Sequence, residues 1–465
     1  MYGGAILSLA ILVSVLLLYP VLYSEVHLNF GLVHVNLLGG LLVAFAPLML
    51  LYIWWQRRSI RLHWLDLFLI LTLAFIFIRG VIAASRLGGG VGMILYFVAY
   101  VLLFYYIGAI LGQKYRGVLT LSWLLAGIII VIALYALLEF ALKKNILYGG
   151  MLLYIPADKS YYRATSTIGQ PVWLGLLLVQ LAPLLILFYF RAKTKLRRVI
   201  LGGCLVSTAL AIEITFSKGA WLTAAILVLA GMWFLKRKTG SFKSASGLLI
   251  ASALAVAFFT TFYWSDAING VDSHKRVSES FAPRILMWER APAVFLDNPL
   301  FGVGLSQGPK EIIYRESHIK NFKQPISIDN LYITLFTEQG LIGVFLVGTT
   351  LVLIGRGGWK LLLKAKGEHI MFAIAFCAGL FATLIDGLTF NSLLTNPNLI
   401  VFWLTAGLLR ALLVIEENRE TAKKTRNARS GSKSSPQTLN EASNHGKIAL
   451  FDQETFLAGR GGANV

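Results

Sequence analysis

Apolar runs of about twenty residues recur along almost the whole chain, and they constrain its fold more than any other feature. The chain opens with MYGGAILSLAILVSVLLLYP, and runs such as MILYFVAYVLLFYYIGAIL and WLLAGIIIVIALYALLEFAL follow. A helix of about 20 residues crosses a hydrocarbon core of about 30 Å. Inside that core only a helix or a closed barrel satisfies its own backbone, and runs of this length without alternation are helical. Twelve spans are predicted, at 4–22, 31–55, 64–84, 90–112, 117–141, 171–190, 198–215, 218–235, 246–264, 329–355, 369–388 and 398–415. Only 14% of the 465 residues are charged, against roughly 25% in a soluble domain. The expected fold is an all-α polytopic membrane protein of about twelve transmembrane helices.

Lys and Arg counts in the short loops orient the spans. Even-numbered loops hold eighteen, among them Arg57, Arg58, Arg191, Lys193 and Arg198, while the short odd-numbered loops hold seven. Even loops and both termini are therefore expected in the cytoplasm. The expected domains are spans one to nine over 1–264, an outward loop over 265–328 between helices nine and ten, and the last three spans over 329–415. Residues 416–465, with ETAKKTRNARSGSKSSPQ, are polar and lack apolar periodicity, so a disordered cytoplasmic tail is expected there. Trp54, Trp55, Trp64, Trp233 and Trp264 fall near span ends, as an interfacial belt requires. The first run lacks the basic start of a cleaved signal peptide and reads as a retained helix.

The net charge of +20 does not indicate nucleic acid, because the basic residues lie in short loops between spans. Cys204 and Cys377 sit inside apolar runs and form no zinc or disulfide pattern. The seven His are scattered, with no paired spacing, so neither a metal site nor a cofactor is expected.

Cations on the outward side run against the topology rule and need a reason. Arg163 precedes span six, Lys218 lies in TFSKGAW between spans seven and eight, and Arg284 and Arg290 lie in the long loop. Together they suit an anionic group held at the lipid interface, Arg as a bidentate fork and Lys as a point charge. Arg284 and Trp288, four apart, share a face of an amphipathic stretch with Ile285, Leu286, Ala291, Val294 and Phe295. Asn298-Pro299 and then Phe301-Gly302-Val303-Gly304 make a turn with little side-chain cover, open to a ligand or shaped for folding back. Asp329 can cap span ten or act as a carboxylate base, with His318 and Glu338 as secondary candidates. Glu213 and Asp386 lie inside apolar spans and must face the bundle interior.

Four ordered pieces resemble the O-antigen ligase and polymerase superfamily of bacterial inner membranes. Arg163-Ala164-Thr165 to Gln170-Pro171 is similar to its R-x-x-G-x-x-x-x-P segment, with Ser166 in the place of Gly. Thr215-Phe216-Ser217-Lys218 is similar to T-x-S-R, with Lys for Arg. Arg284-x-x-x-Trp288 with Pro299-Leu300-Phe301-Gly302-Val303-Gly304 resembles R-x-x-x-W...P-L-x-G-x-G. Asn330-Leu331-Tyr332 with Glu338-Gln339-Gly340 resembles the H-N-x-Y-L...E-x-G that begins the next span.

The resemblance implies a metal-independent glycosyltransferase without a cofactor, working at the outer face of the inner (plasma) membrane in surface polysaccharide biosynthesis. Its donor would be a glycan on undecaprenyl diphosphate, and its acceptor a glycan or lipid-linked sugar. Arg163, Lys218 and Arg284 would meet the diphosphate, with Arg290, Trp288 and Asn330 as further substrate contacts. Asp329, Arg284 and Lys218 would carry catalysis. Ligases that cap lipid A core carry His where this chain has Asp329, so the acceptor stays open between ligase and polymerase. The alternative is a polytopic transporter or flippase for a lipid-linked or anionic substrate. That reading predicts charges at the midplane of paired helices, whereas these gather at one face.

Overall fold

The computed structural model describes residues 63–87, 91–147, 162–239, 273–316, 327–394 and 396–432, together with two short strands near the start. The strands β1 (His27–Phe30) and β2 (Val33–Asn36) form an antiparallel hairpin with His27 opposite Asn36. The sequence pattern predicts a helical span from residue 31; the alternation in Val33-His34-Val35, with its β-branched residues, suits a strand instead. Spans one and nine, the remainder of span two, and Trp54, Trp55 and Trp264 lie outside the described residues.

Among the described residues the other elements are helices: α1 (Trp64–Leu87), α2 (Val91–Leu111), α3 (Tyr115–Leu142), α4 (Pro171–Arg191), α5 (Lys195–Glu213), α6 (Lys218–Thr239), α7 (Ser273–Asp297), α8 (Gly308–Glu316), α9 (Leu331–Lys364), α10 (Glu368–Asp386) and α11 (Asn396–Ser432). Seven of them, α1 to α4 and α9 to α11, contain stretches long and apolar enough to cross a membrane. The helix α6 contributes a shorter apolar stretch, Lys218–Gly231. Span seven corresponds to α5, a 19-residue helix that carries Lys195, Arg197, Arg198 and Glu213.

The chain divides into two units, Met1–Glu417 and Asn418–Val465. In the second unit α11 continues as helix to Ser432, where the sequence predicts an irregular tail from 416. Glu, Arg, Lys and Ala in EENRETAKKTRNAR are good helix formers, which explains the extension.

In the first unit α4 is central and packs on α3, α5, α6 and α10, while α9 packs on α1, α7 and α10. Tyr105, Phe104, Phe188, Phe372 and Phe402 are fully buried between the helices. Outward faces carry exposed apolar side chains such as Ile78, Val131, Phe190, Phe345 and Val352, as hydrocarbon surroundings require. Trp64, at the start of α1, is 67% exposed.

Polar groups collect at the two ends of the bundle. At one end, where α3 and α10 begin and α4 finishes, Tyr115 Oη donates to Glu368 Oε2 at 2.5 Å and Arg191 Nη2 reaches Glu368 Oε1 at 2.8 Å. Nearby His369 pairs with Glu416, and Lys360 Nζ lies 2.5 Å from Glu417 Oε1. A buried charged pair joins α11 to the first turn of α1: Arg410 Nη2 meets the fully buried Asp66 Oδ2 at 2.6 Å, and Tyr105 Oη donates to Oδ1 at 3.2 Å. Such a pair is tolerated in lipid because each charge has a partner.

Candidate active site

The opposite end of the bundle is where the sequence motifs meet. Arg163 follows from a tightly bound segment. Glu139, in the last turn of α3 and 1% exposed, accepts from the backbone N–H of Thr165 through both oxygens at 3.1 Å. It also accepts from Thr165 Oγ1 at 2.8 Å, from Ser166 N at 2.5 Å and from the Tyr162 hydroxyl. Burial and this bond push the Tyr162 phenol above its ordinary range, so it stays a donor. Ser166 adopts φ 51°, the left-handed region that favours glycine. Its Oγ donates to Ile132 O at 2.8 Å, which compensates in part.

Held this way, Arg163 donates from Nε to Thr215 O at 2.8 Å and from Nη2 to Phe216 O at 3.3 Å. Those carbonyls belong to the turn that delivers Lys218, exposed at the first position of α6. The two cations are thus on neighbouring structures, and Arg163 shapes the turn that presents Lys218.

The next residue, Gly219, lies against the end of α10. A Cβ there would overlap Thr389 Oγ1 and come within 2.8 Å of Asp386 Oδ1. The turn following α10 is tied in its own right to the start of α9. Leu331 N donates to Gly387 O at 2.8 Å, Asn330 Nδ2 to Leu388 O at 2.9 Å, and Tyr332 Oη to Leu384 O at 2.8 Å. Asn330 also caps α9, its Oδ1 accepting from Tyr332 N and Ile333 N at 3.0 Å. The cap is Asn330, whereas the sequence offered Asp329 for that role.

Asp329 stands just outside the helix at φ 46°. Its Oδ2 lies 3.1 Å from Arg284 Nε and its Oδ1 accepts from Ser327. Trp288, one turn along α7 from Arg284, donates from Nε1 to Ile328 O at 2.7 Å and fixes the backbone leading into Asp329. The apolar stripe expected on this helix is split by the fold. Met287, Ala291 and Val294 are buried against Val303, Ile312 and Ile328, while Ile285 stays 46% exposed. Arg290 is exposed, and six residues at about 100° each set it about 120° around the helix from Arg284. His318 lies outside the described residues.

The glycine turn folds back onto α9. That helix breaks at Gly340, whose φ of 61° and ψ of −172° are not helical. Into the break comes the segment from Pro299 to Gly304. Leu341 N donates to Pro299 O at 2.8 Å and Ile342 N to Leu300 O at 3.1 Å; Val303 N donates to Thr337 O at 3.1 Å and Gly304 N to Glu338 O at 2.7 Å. Gly302, at φ 63°, lies so close to the Glu338 backbone that any Cβ would overlap it. Arg79 of α1 clasps the same turn through Gly302 O, at 2.5 Å from Nη2. The Glu338 carboxylate, 2% exposed, accepts from Ser306 N at 2.9 Å and Gly308 N at 3.4 Å. Both glycines and Glu338 therefore hold the loop to the helix.

The turn after α10 thus meets Gly219, the neighbour of Lys218, on one side and Asn330 on the other, while Arg163 holds the α5–α6 turn and Arg284 reaches Asp329. From the sequence Asp386 is only an acid that must face inward; in the fold it is 1% exposed and borders Gly219. No local pattern marks it as part of a site. Among the described residues no three His, Cys, Asp or Glu come together in a metal-binding group. The arrangement can hold an anion beside cationic side chains, with carboxylates close by.

No curated protein matches the chain. Residues 203–348, from within α5 to within α9, match the family model described as O-antigen ligase, a family of membrane glycan-processing enzymes. That segment contains Lys218, Arg284, Trp288, Asp329, Asn330 and Glu338, and its match supports membership of this chain in the O-antigen ligase and polymerase superfamily.

Proposed function

We propose that this protein is a metal-independent glycosyltransferase that moves a glycan from an undecaprenyl-diphosphate carrier to a hydroxyl of a second glycan or lipid-linked sugar, at the outer face of a bacterial inner membrane. The observation that carries the reading is the meeting of the α5–α6 turn, α7 and the start of α9, all three inside the segment that matches the family, beside the turn that follows α10. Breaking a glycosyl–phosphate bond builds negative charge on the departing diphosphate. Lys218 and Arg284, with the amide groups at the start of α6, supply positive potential for that charge. Arg163 supports them by fixing the turn that carries Lys218. Asn330 and Trp288 set the geometry on the far side. In this reading the prenyl chain lies between apolar helix faces, which leaves the diphosphate at the interface. Both termini are cytoplasmic.

The test is reconstitution of the full chain in liposomes with a polyprenyl-diphosphate glycan and alternative acceptors. Products of increasing repeat number indicate a polymerase, and a single addition to a core-like lipid indicates a ligase. Absence of transfer to every acceptor, or activity that disappears with chelator and returns with a divalent ion, refutes the proposal.

A further inference from the structure

Among the described residues, Asp386 is the one buried carboxylate whose side chain the fold leaves without a hydrogen-bond partner. It ends α10, is 1% exposed, and neither Oδ1 nor Oδ2 accepts a hydrogen bond. Its backbone is not loose: Asp386 O accepts from Thr389 N at 2.8 Å and from Phe390 N at 3.0 Å. The first turn of α6 is laid against the carboxylate, with Oδ1 only 2.8 Å from where a Cβ on Gly219 would stand. Arg284 acts on it electrostatically from α7. The charged groups on the surrounding elements are Lys218 on α6, Arg284 on α7 and Asp329 ahead of α9, with Arg163 behind the α5–α6 turn. Burying a carboxyl without a partner costs on the order of several kcal/mol, and a purely structural residue here would be apolar.

Asp329 is in the opposite condition. One oxygen faces Arg284 and the other accepts from Ser327, so both are engaged within the protein. Accepting a proton at Asp329 would release Arg284 just when the diphosphate most needs its charge.

We propose that Asp386 is the carboxylate that takes the proton from the acceptor hydroxyl, and that Asp329 is a positioning residue that aims Arg284. The inference rests on the transferase reading above. In the step, the acceptor oxygen forms a bond to the anomeric carbon of the donor. The bond from that carbon to the phosphate oxygen breaks, and its electron pair leaves on the diphosphate. The proton of the acceptor hydroxyl passes to an Asp386 oxygen and then to water. No oxidant or additional reactant is needed.

The experiment compares the full-length, reconstituted wild type with Asp386→Asn, Asp386→Glu and Asp329→Asn, measuring transfer, the KM for a polyprenyl-diphosphate glycan, and Tm. Asp386→Asn is expected to lower turnover about 10²-fold or more, as loss of a general base does, with the donor KM unchanged and Tm equal to or above that of the wild type. Asp386→Glu recovers part of the rate. Asp329→Asn raises the donor KM, because Arg284 loses its alignment. Turnover of Asp386→Asn within about threefold of wild type, or a lowered Tm accompanying the loss of rate, overturns the assignment of Asp386 alone. A wild type inactive with every lipid-diphosphate glycan overturns the transferase reading and this assignment with it.

Discussion

Glu139 offers the most direct test of how the site is assembled, because it touches no proposed substrate yet holds the segment that carries Arg163. In Glu139→Gln one carboxylate oxygen becomes an amide N–H2 that cannot accept. With the amide N–H2 at the Oε2 position the buried Ser166 N–H faces another donor, and with it at the Oε1 position the Tyr162 and Thr165 hydroxyls must turn from donors into acceptors. An unsatisfied buried N–H costs about 1–3 kcal/mol. The remaining bonds lose their charge assistance, worth about another 1 kcal/mol. The expected destabilisation is therefore about 3 kcal/mol, concentrated where Ala164 N donates to Ile214 O at 3.0 Å and Arg163 grips Thr215. Thermal unfolding in detergent would register it as a drop of several degrees in Tm. Transfer should fall more than donor binding, since Lys218 is presented from a loosened turn. Refutation would be a Glu139→Gln protein whose Tm and transfer rate both match the wild type, for then the network would not position Arg163.

Three further outcomes follow from the geometry. Ser166→Gly relieves a left-handed residue but gives up the bond to Ile132 O, so it should be nearly neutral, whereas Ser166→Ala keeps the strain and loses the bond, unfolding about 1 kcal/mol more easily than the glycine variant; paired chemical denaturation curves measure the difference. Gly302→Ala should detach the loop from α9, reducing Tm and transfer together, because its Cβ would overlap the Glu338 backbone; protease sensitivity of residues 298–304 reports the detachment. Trp288→Phe removes the 2.7 Å bond to Ile328 O at a cost of about 1 kcal/mol and should raise the donor KM through misplacement of Asp329 and Arg284; steady-state kinetics would show it.

Much of the architecture was legible because uninterrupted apolarity over about 20 residues has few solutions in three dimensions. The ends of α1 to α4, α10 and α9's start fall close to the predicted spans. Local signals failed where two neighbours compete for one role. Asp329 and Asn330 are both competent caps, and only the bond from Asn330 Nδ2 to Leu388 O selects between them. The break at Gly340 was hidden for a similar reason. A single glycine in a span is compatible with continuous helix, and the hydrogen bonds that permit the break come from Pro299 and Leu300. Asp386 could be placed inward from its charge alone, yet its neighbours Gly219 and Arg284 lie far away in sequence. Ser166 was visible as a departure from a glycine position, but its positive φ and its support by Glu139 needed the folded chain.

The docking of the glycine turn into α9 bears on how the protein is made. Amide groups of Leu341 and Ile342 bond to the preceding loop, so the kinked span cannot satisfy its backbone in lipid by itself. The loop precedes α9 in the chain, and Arg79 of α1, earlier still, clasps it through Gly302 O. Chain order thereby becomes assembly order: the earlier segment acts as a template on which the later span is completed. A circularly permuted protein with Leu331–Lys364 ahead of the loop would carry the same residues but would have to insert α9 with those amides bare.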